Sequence, residues 1–135
     1  MSNNIERNHT QMANRVSMRT GISDWNFDSS RNVWTPPTDV FETAQDIVVR
    51  VEIAGVSIND FDIDYTDGIL SIRGNRSDAS ERKAFHRMEI RYGNFQVNVK
   101  ITVPVNATQI TAEYKDGLLI IRLPKAETKR IQISI

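Results

Sequence analysis

The strongest constraint in this chain is an alternation of apolar and polar residues that begins after Pro37 and recurs as far as Leu123. Val49, Val51 and Ile53, for example, stand two apart, with the charged residues Arg50 and Glu52 between them. A spacing of two places every second side chain on one face of a β-strand, whereas a helix needs spacings of three and four. Many short runs of this kind predict an all-β sandwich or barrel whose strands have one buried and one exposed face. The other runs centre on Phe61, Ile63, Tyr65, Leu70, Ile72, Phe95, Val97, Val99, Ile101, Ile110, Ala112, Tyr114, Leu119, Ile121 and Leu123.

Two Asp-Gly pairs mark tight hairpins inside the alternating region. Asp67-Gly68 and Asp116-Gly117 each lie between two apolar runs. A type I′ turn needs a positive φ at both central residues, which Asp followed by Gly adopts at little cost. The surrounding segments, 65–73 and 114–122, share Tyr, Asp, Gly, Leu, Ile and Arg at matching places. The repeat predicts one hairpin geometry used twice.

The alternation also divides the chain. Residues 1–34 are rich in Asn, Ser, Thr, Arg and Gln with scattered large apolar residues, and they are predicted to form an N-terminal arm. Pro36 and Pro37 end it, because proline stops a helix and stiffens the chain. The predicted domain is therefore 35–124, followed by a C-terminal extension at 125–135 that begins with a charged linker.

Two segments outside the regular strands are candidates for contacts between molecules. Between Gly74 and Asn94 the chain is longer and more polar than an ordinary hairpin loop, and loops of this length are usually functional or disordered. It contains a strand-like run that can pair with the sheet edge of another molecule: Ala84, Phe85, His86, Arg87, Met88, Glu89 and Ile90. The chain closes with three alternating isoleucines, which form either a last sandwich strand or a tail that docks on a neighbour: Ile131, Ile133 and Ile135.

Composition excludes several classes of protein. The 17 basic and 17 acidic residues cancel, so no overall charge directs the chain to nucleic acid or to an anionic membrane. The chain has no cysteine, which excludes disulfides, thiolate nucleophiles and zinc–thiolate sites. No apolar run opens the sequence, so we expect no signal peptide and no membrane span, and a cytoplasmic location.

Few residues of the sequence are candidates for catalysis or metal binding. His9 and His86 are the only histidines, and no G-x-S-x-G turn is present for a nucleophilic serine. Asp60, Asp62 and Asp64 alternate, but the glycine and the glutamate of a calcium loop are missing, so we interpret them as the wet face of a strand. The glycines do not form a phosphate-binding loop. We predict no catalytic, cofactor or metal site.

The order of several short motifs resembles the small heat-shock protein family, whose shared module is the α-crystallin domain. Residues 37–43 (PTDVFET) are similar to its P-x-D-[IV]-x-E-T opening, and residues 51–56 (VEIAGV) to its x-E-L-P-G-V step, with Ala54 in place of proline. Residues 89–95 (EIRYGNF) resemble E-R-x-x-G-x-F, with Ile90 where Arg is common. Residues 112–119 resemble A-x-x-x-[DN]-G-[VL]-L, and residues 131–133 resemble the tail motif I-x-[IV].

This resemblance implies an immunoglobulin-like, two-sheet antiparallel β-sandwich. It also implies that residues 84–90 form the strand exchanged between dimer partners, and that the isoleucine tail docks on a neighbouring domain in a larger homo-oligomer. The implied function is that of an ATP-independent chaperone, a holdase that binds unfolding proteins. The arm then offers candidate client contacts at Ile22, Trp25 and Phe27. A co-chaperone-type sandwich adaptor that binds one folded partner stays open as the alternative.

Overall fold

The computed structural model describes residues 32–79, 83–127 and 132–134. These residues contain seven β-strands and two short 3₁₀ helices, at Ile58–Asp60 and Ala107–Gln109. The strands are β1 Thr38–Glu42, β2 Asp46–Glu52, β3 Phe61–Thr66, β4 Ile69–Arg76, β5 Gly93–Lys100, β6 Thr111–Lys115 and β7 Leu118–Pro124.

The strands form two separate antiparallel sheets. One sheet has the order β1-β2-β7-β6 and the other has the order β3-β4-β5. The two sheets share no strand, so they pack as a sandwich and do not close into a barrel. The prediction of an all-β, two-sheet antiparallel sandwich is confirmed.

The alternation seen in the sequence becomes the core between the sheets. In β2, Val49 and Val51 point inward and are fully buried, while Arg50 between them is exposed. Each buried side chain of this size contributes roughly 1.5–3 kcal/mol to stability before entropy is counted. The core consists of Trp34, Ile47, Val49, Val51, Ile53, Val56, Ile63, Leu70, Ile72, Phe95, Val97, Ile101, Ile110, Ala112, Leu119, Ile121 and Leu123.

Both Asp-Gly pairs form the predicted turns. Asp67 and Gly68 have φ values of 53° and 76°, and Asp116 and Gly117 have 55° and 77°. Positive φ at both central residues is the type I′ geometry, whose twist matches that of the adjoining strands. These turns join β3 to β4 and β6 to β7, one in each sheet.

Trp34 joins the start of the domain to the three-stranded sheet. Its backbone N–H donates to the Asn94 carbonyl at 3.1 Å, and its carbonyl accepts from the Gln96 N–H at 3.0 Å. The indole ring is 7% exposed and meets the ring of Phe95 edge-on, with centroids 5.8 Å apart. Trp34 therefore belongs to the sandwich, and the arm enters the domain beside β5.

Gly74 makes room for the largest core side chain. It faces Phe61 on one side and Phe95 on the other, at the point where the inward series Leu70, Ile72 would place a third side chain. A Cβ at Gly74 would overlap the Phe95 ring and lie 2.8 Å from the Asp60 carbonyl oxygen. Phe95 itself is completely buried.

We predict that Gly74→Ala destabilises the domain by about 1–3 kcal/mol, because overpacking displaces Phe95 or the Asp60 backbone. Urea unfolding followed by circular dichroism measures the change. Thr111→Ala, at an exposed place in β6, is the control and should stay within about 0.5 kcal/mol of the parent. A Gly74→Ala protein with the parental midpoint would show that the close approach to Phe95 has no energetic consequence.

Candidate assembly and client surfaces

The residues considered above for enzymatic and metal chemistry are the two histidines and the aspartates of β3. His86 is exposed in a segment without regular structure, and His9 lies outside the described residues. No group of three or more His, Cys, Asp or Glu residues in the described ranges is placed to hold a metal ion. Asp62 and Asp64 lie opposite Arg73 and Ser71 of β4. Asp64 and Ser71 are buried, so the interpretation as a wet face is wrong for Asp64.

The run from Ala84 to Ile90 has no regular secondary structure within the single chain, and all seven residues are exposed. Phe85 is 50% exposed, and Met88 and Ile90 are each 62% exposed. A strand requires a neighbour to supply its ladder of hydrogen bonds, and in the described chain this run pairs with none of the seven strands. Its role as a dimer-exchange strand stays a prediction.

The free edge of β1 carries two exposed apolar side chains. Within the described chain β1 pairs only with β2, so one row of its backbone N–H and C=O groups is unpaired. Val40 and Phe41 on this strand are 52% and 39% exposed. A shallow pocket of about 210 Å³ opens between β1 and the end of β5, with Ile101 and Val103 on its far wall. An edge of this kind accepts a further strand.

The opposite side of the sandwich has two free edges, those of β3 and β6. In the described residues β3 pairs only with β4, and β6 only with β7. The rings of Phe61 and Tyr114 bridge the two edges with centroids 5.0 Å apart. The Tyr114 hydroxyl donates to the Ile53 carbonyl at 2.7 Å, which holds the ring against the core. With Tyr65, these half-buried aromatic rings form an apolar strip that we call the β3/β6 edge.

The tail is described only in part. Ile133 is 82% exposed, and residues 132–134 belong to no strand, so in this part of the tail the alternative of a last sandwich strand is not seen. Ile131 and Ile135 lie outside the described residues, as do the arm residues Ile22, Trp25 and Phe27. Their predicted roles in docking and client contact stay predictions.

Sequence reasoning missed two features of these surfaces. The adjacent pair Val40 and Phe41 breaks the simple alternation in a short strand, and this signal could have identified the apolar edge. Arg76 gave no signal, because its contacts are to residues far away in the sequence. It borders a cleft of about 650 Å³ between segment 89–92 and the sandwich, together with Trp34 and Ala54.

Comparison with known proteins places these surfaces in context. The sequence profile described as "Hsp20/alpha crystallin family" matches residues 39–135. Small heat shock protein C2 of Rickettsia felis is 34% identical over 103 residues, which cover 73% of this chain and 67% of that protein. Heat shock protein HSP.16.4 of Streptococcus thermophilus is 30% identical over 145 residues, covering 92% of this chain and 98% of that protein.

Solved structures agree with this result. A small heat-shock protein from Xylella fastidiosa, described as having a distinct high order structure, is 32% identical to this chain and superposes with a TM-score of 0.67. The match covers 77% of this chain and 98% of that one. Heat shock protein 16.0 of Schizosaccharomyces pombe gives a TM-score of 0.64 at 31% identity, over 75% of this chain and 97% of that one. Among the described residues, no helix is long and apolar enough to cross a membrane.

Proposed function

The chain belongs to the Hsp20/alpha crystallin family, and from this premise we propose that it is a holdase, which binds unfolding proteins and prevents their aggregation. Proteins of this family are ATP-independent chaperones and not enzymes, and they form oligomers. The observation that supports the proposal most directly is the family match across residues 39–135, which includes the tail and all of the sandwich from Asp39 onward.

The chemistry of a holdase requires only apolar surface that is accessible to unfolded chains. A protein that binds the unfolded state withdraws it from self-association, and no nucleotide is needed for this equilibrium. Each large apolar side chain that is covered by a client contributes roughly 1.5–3 kcal/mol. A single such residue therefore binds a client weakly, whereas several together keep the client bound.

The arm is the proposed site of client contact. Ile22, Trp25 and Phe27 are large apolar residues of the arm, which precedes the sandwich and is rich in polar residues. Trp34, by contrast, is buried in the domain and belongs to the fold.

We predict that the chain suppresses heat-induced aggregation of a model client without nucleotide, and that deletion of residues 1–30 greatly reduces this protection. Light scattering of the client measures aggregation, and circular dichroism confirms that the sandwich remains folded, because its described core begins at Trp34. Replacing Ile22, Trp25 and Phe27 by Ser in the full chain is the narrower test. Full protection by the truncated protein would move client contact to the domain. No protection by the full chain would favour the adaptor alternative.

The basic unit is proposed to be a dimer in which residues 84–90 of one chain pair with β1 of the other. Three observations support this pairing: the run is exposed, its apolar residues are accessible, and β1 has a free edge with exposed Val40 and Phe41. Pairing would supply the missing ladder of hydrogen bonds and cover apolar surface on both chains.

We predict that Met88→Pro weakens the dimer, because proline removes a backbone donor from the ladder and resists pairing. Sedimentation velocity over a range of dilutions measures the dissociation constant of the dimer. We expect this constant to increase about tenfold or more, because one hydrogen bond of the ladder is lost and the adjacent ones are misaligned. Ala79→Pro, at an exposed place in the same loop but outside the run, is the control. An unchanged constant for Met88→Pro would refute the exchange-strand proposal.

Larger assemblies are proposed to form when the tail docks on the β3/β6 edge of a neighbouring subunit. Ile131 and Ile133 together would contribute roughly 3–6 kcal/mol gross on burial. Ordering the tail costs on the order of 1–2 kcal/mol per residue, so a single contact is weak. Many such contacts in a closed assembly hold together through effective concentration while subunits still exchange. Ile135 is proposed as a third contact.

We predict that changing Ile131 and Ile133 together to Ser releases dimers without unfolding the domain, because the tail contributes nothing to the described core. Native mass spectrometry measures the assembly, and circular dichroism measures the sheet content. Gln132→Ala with Ser134→Ala, on the opposite side of an extended tail, is the matched control and should retain the parental mass. An Ile131/Ile133 double variant of full oligomer mass would contradict the docking proposal.

A further inference from the structure

Arg76 lies where the long loop between β4 and β5 begins. It is the last residue of β4 and is paired with Gly93, the first residue of β5. The loop from 77 to 92 therefore leaves the sheet and returns to it at this one pair. Whatever holds Arg76 in place also holds both ends of the segment that carries the proposed exchange strand.

The Arg76 side chain contacts three separate parts of the chain. Its Nε–H donates to the Arg91 carbonyl at 2.8 Å, and an Nη1–H donates to the Ala54 carbonyl at 3.3 Å. The guanidinium carbon lies 4.6 Å from the centroid of the Trp34 ring and 5.6 Å from that of the Tyr92 ring. The guanidinium thus meets the end of the loop, the turn after β2, and the residue through which the arm enters the domain.

These contacts use properties that are specific to arginine. A planar guanidinium can rest on an aromatic face and donate from its edge to carbonyl groups at the same time, whereas the compact ammonium of lysine cannot. Both carbonyl partners belong to the backbone, so the side chain fixes main-chain positions in the loop and in the turn.

We propose that Arg76 is a positioning residue that couples the arm to the exchange loop. Trp34 anchors the arm through two backbone hydrogen bonds to β5, and Arg76 covers its ring. Movement of Arg91 and Tyr92 removes two of the contacts that hold the guanidinium over Trp34. Displacement of the loop by a partner therefore loosens the root of the arm, and this consequence rests on the proposed dimer and client-binding function.

Hydrogen exchange of the full chain, diluted until dimers dissociate, tests the coupling. In Arg76→Lys we expect amides of the arm root, residues 32–35, and of the loop, residues 83–92, to exchange about two- to fivefold faster together. Amides of β2 and β7 should not change, which shows that the fold is intact. Arg122→Lys, at an exposed place in β7, is the control. Faster exchange in only one of the two segments, or an equal effect of Arg122→Lys, would overturn the proposal.

A second variant tests the coupling from the loop side without altering the core. Tyr92→Leu should speed exchange in residues 32–35, although Tyr92 belongs to the loop, and Tyr92→Phe should preserve the parental rate because it keeps the ring. In the Arg76→Lys background, Tyr92→Leu should add nothing further at the arm root. An unchanged exchange rate of residues 32–35 in Tyr92→Leu would contradict the coupling. An effect of Tyr92→Leu that is equally large in the Arg76→Lys background would contradict it as well.

These outcomes are separable from those of the proposed function. The exchange measurement uses neither client nor dimer, so a chain that fails to protect clients can still show the coupling. Conversely, a chain that protects clients and dimerises through residues 84–90 but shows independent arm and loop exchange would refute the role of Arg76 alone.

Discussion

Burial of alternate side chains between two sheets is the interaction on which the rest of this structure depends. Neither sheet can remain in water alone, because its inner face is an unbroken apolar surface, with Val49, Val51 and Leu119 on one side and Leu70, Ile72 and Phe95 on the other. The sheets therefore cover each other. The size of Phe95 then requires Gly74 beside it, and the ring of Trp34 completes the core where the arm enters.

A sandwich of this kind leaves its strand edges unpaired, and the proposed assembly follows from that fact. A barrel would close its edges, whereas the described sheets end at β1 and β6 in one layer and at β3 and β5 in the other. Trp34 bonds to part of β5. The apolar β1 edge and the aromatic β3/β6 edge lie on opposite sides of the sandwich, so two different neighbours can bind one domain without competing.

The described segments proposed to contact other molecules share one physical property: their large apolar side chains are exposed in the single chain. Phe85, Met88, Ile90 and Ile133 are such residues, and the proposed contacts with another chain would bury them. The corresponding contacts are weak individually, which suits an assembly that exchanges subunits. Arg76 adds a connection within the chain, since it touches both the root of the arm and the end of the loop.

The sequence by itself determined the alternating strands and the two Asp-Gly turns, because periodicity and turn conformation act over a few residues. It also identified residues 84–90 as strand-like, yet they form no strand in the single chain, because a ladder needs a neighbour. Only the tertiary structure decided which edges stay free, that Trp34 packs on Phe95, and that Arg76 joins three segments. Those contacts join residues far apart in the chain, and no local pattern records which distant residues the packing of the two sheets brings together.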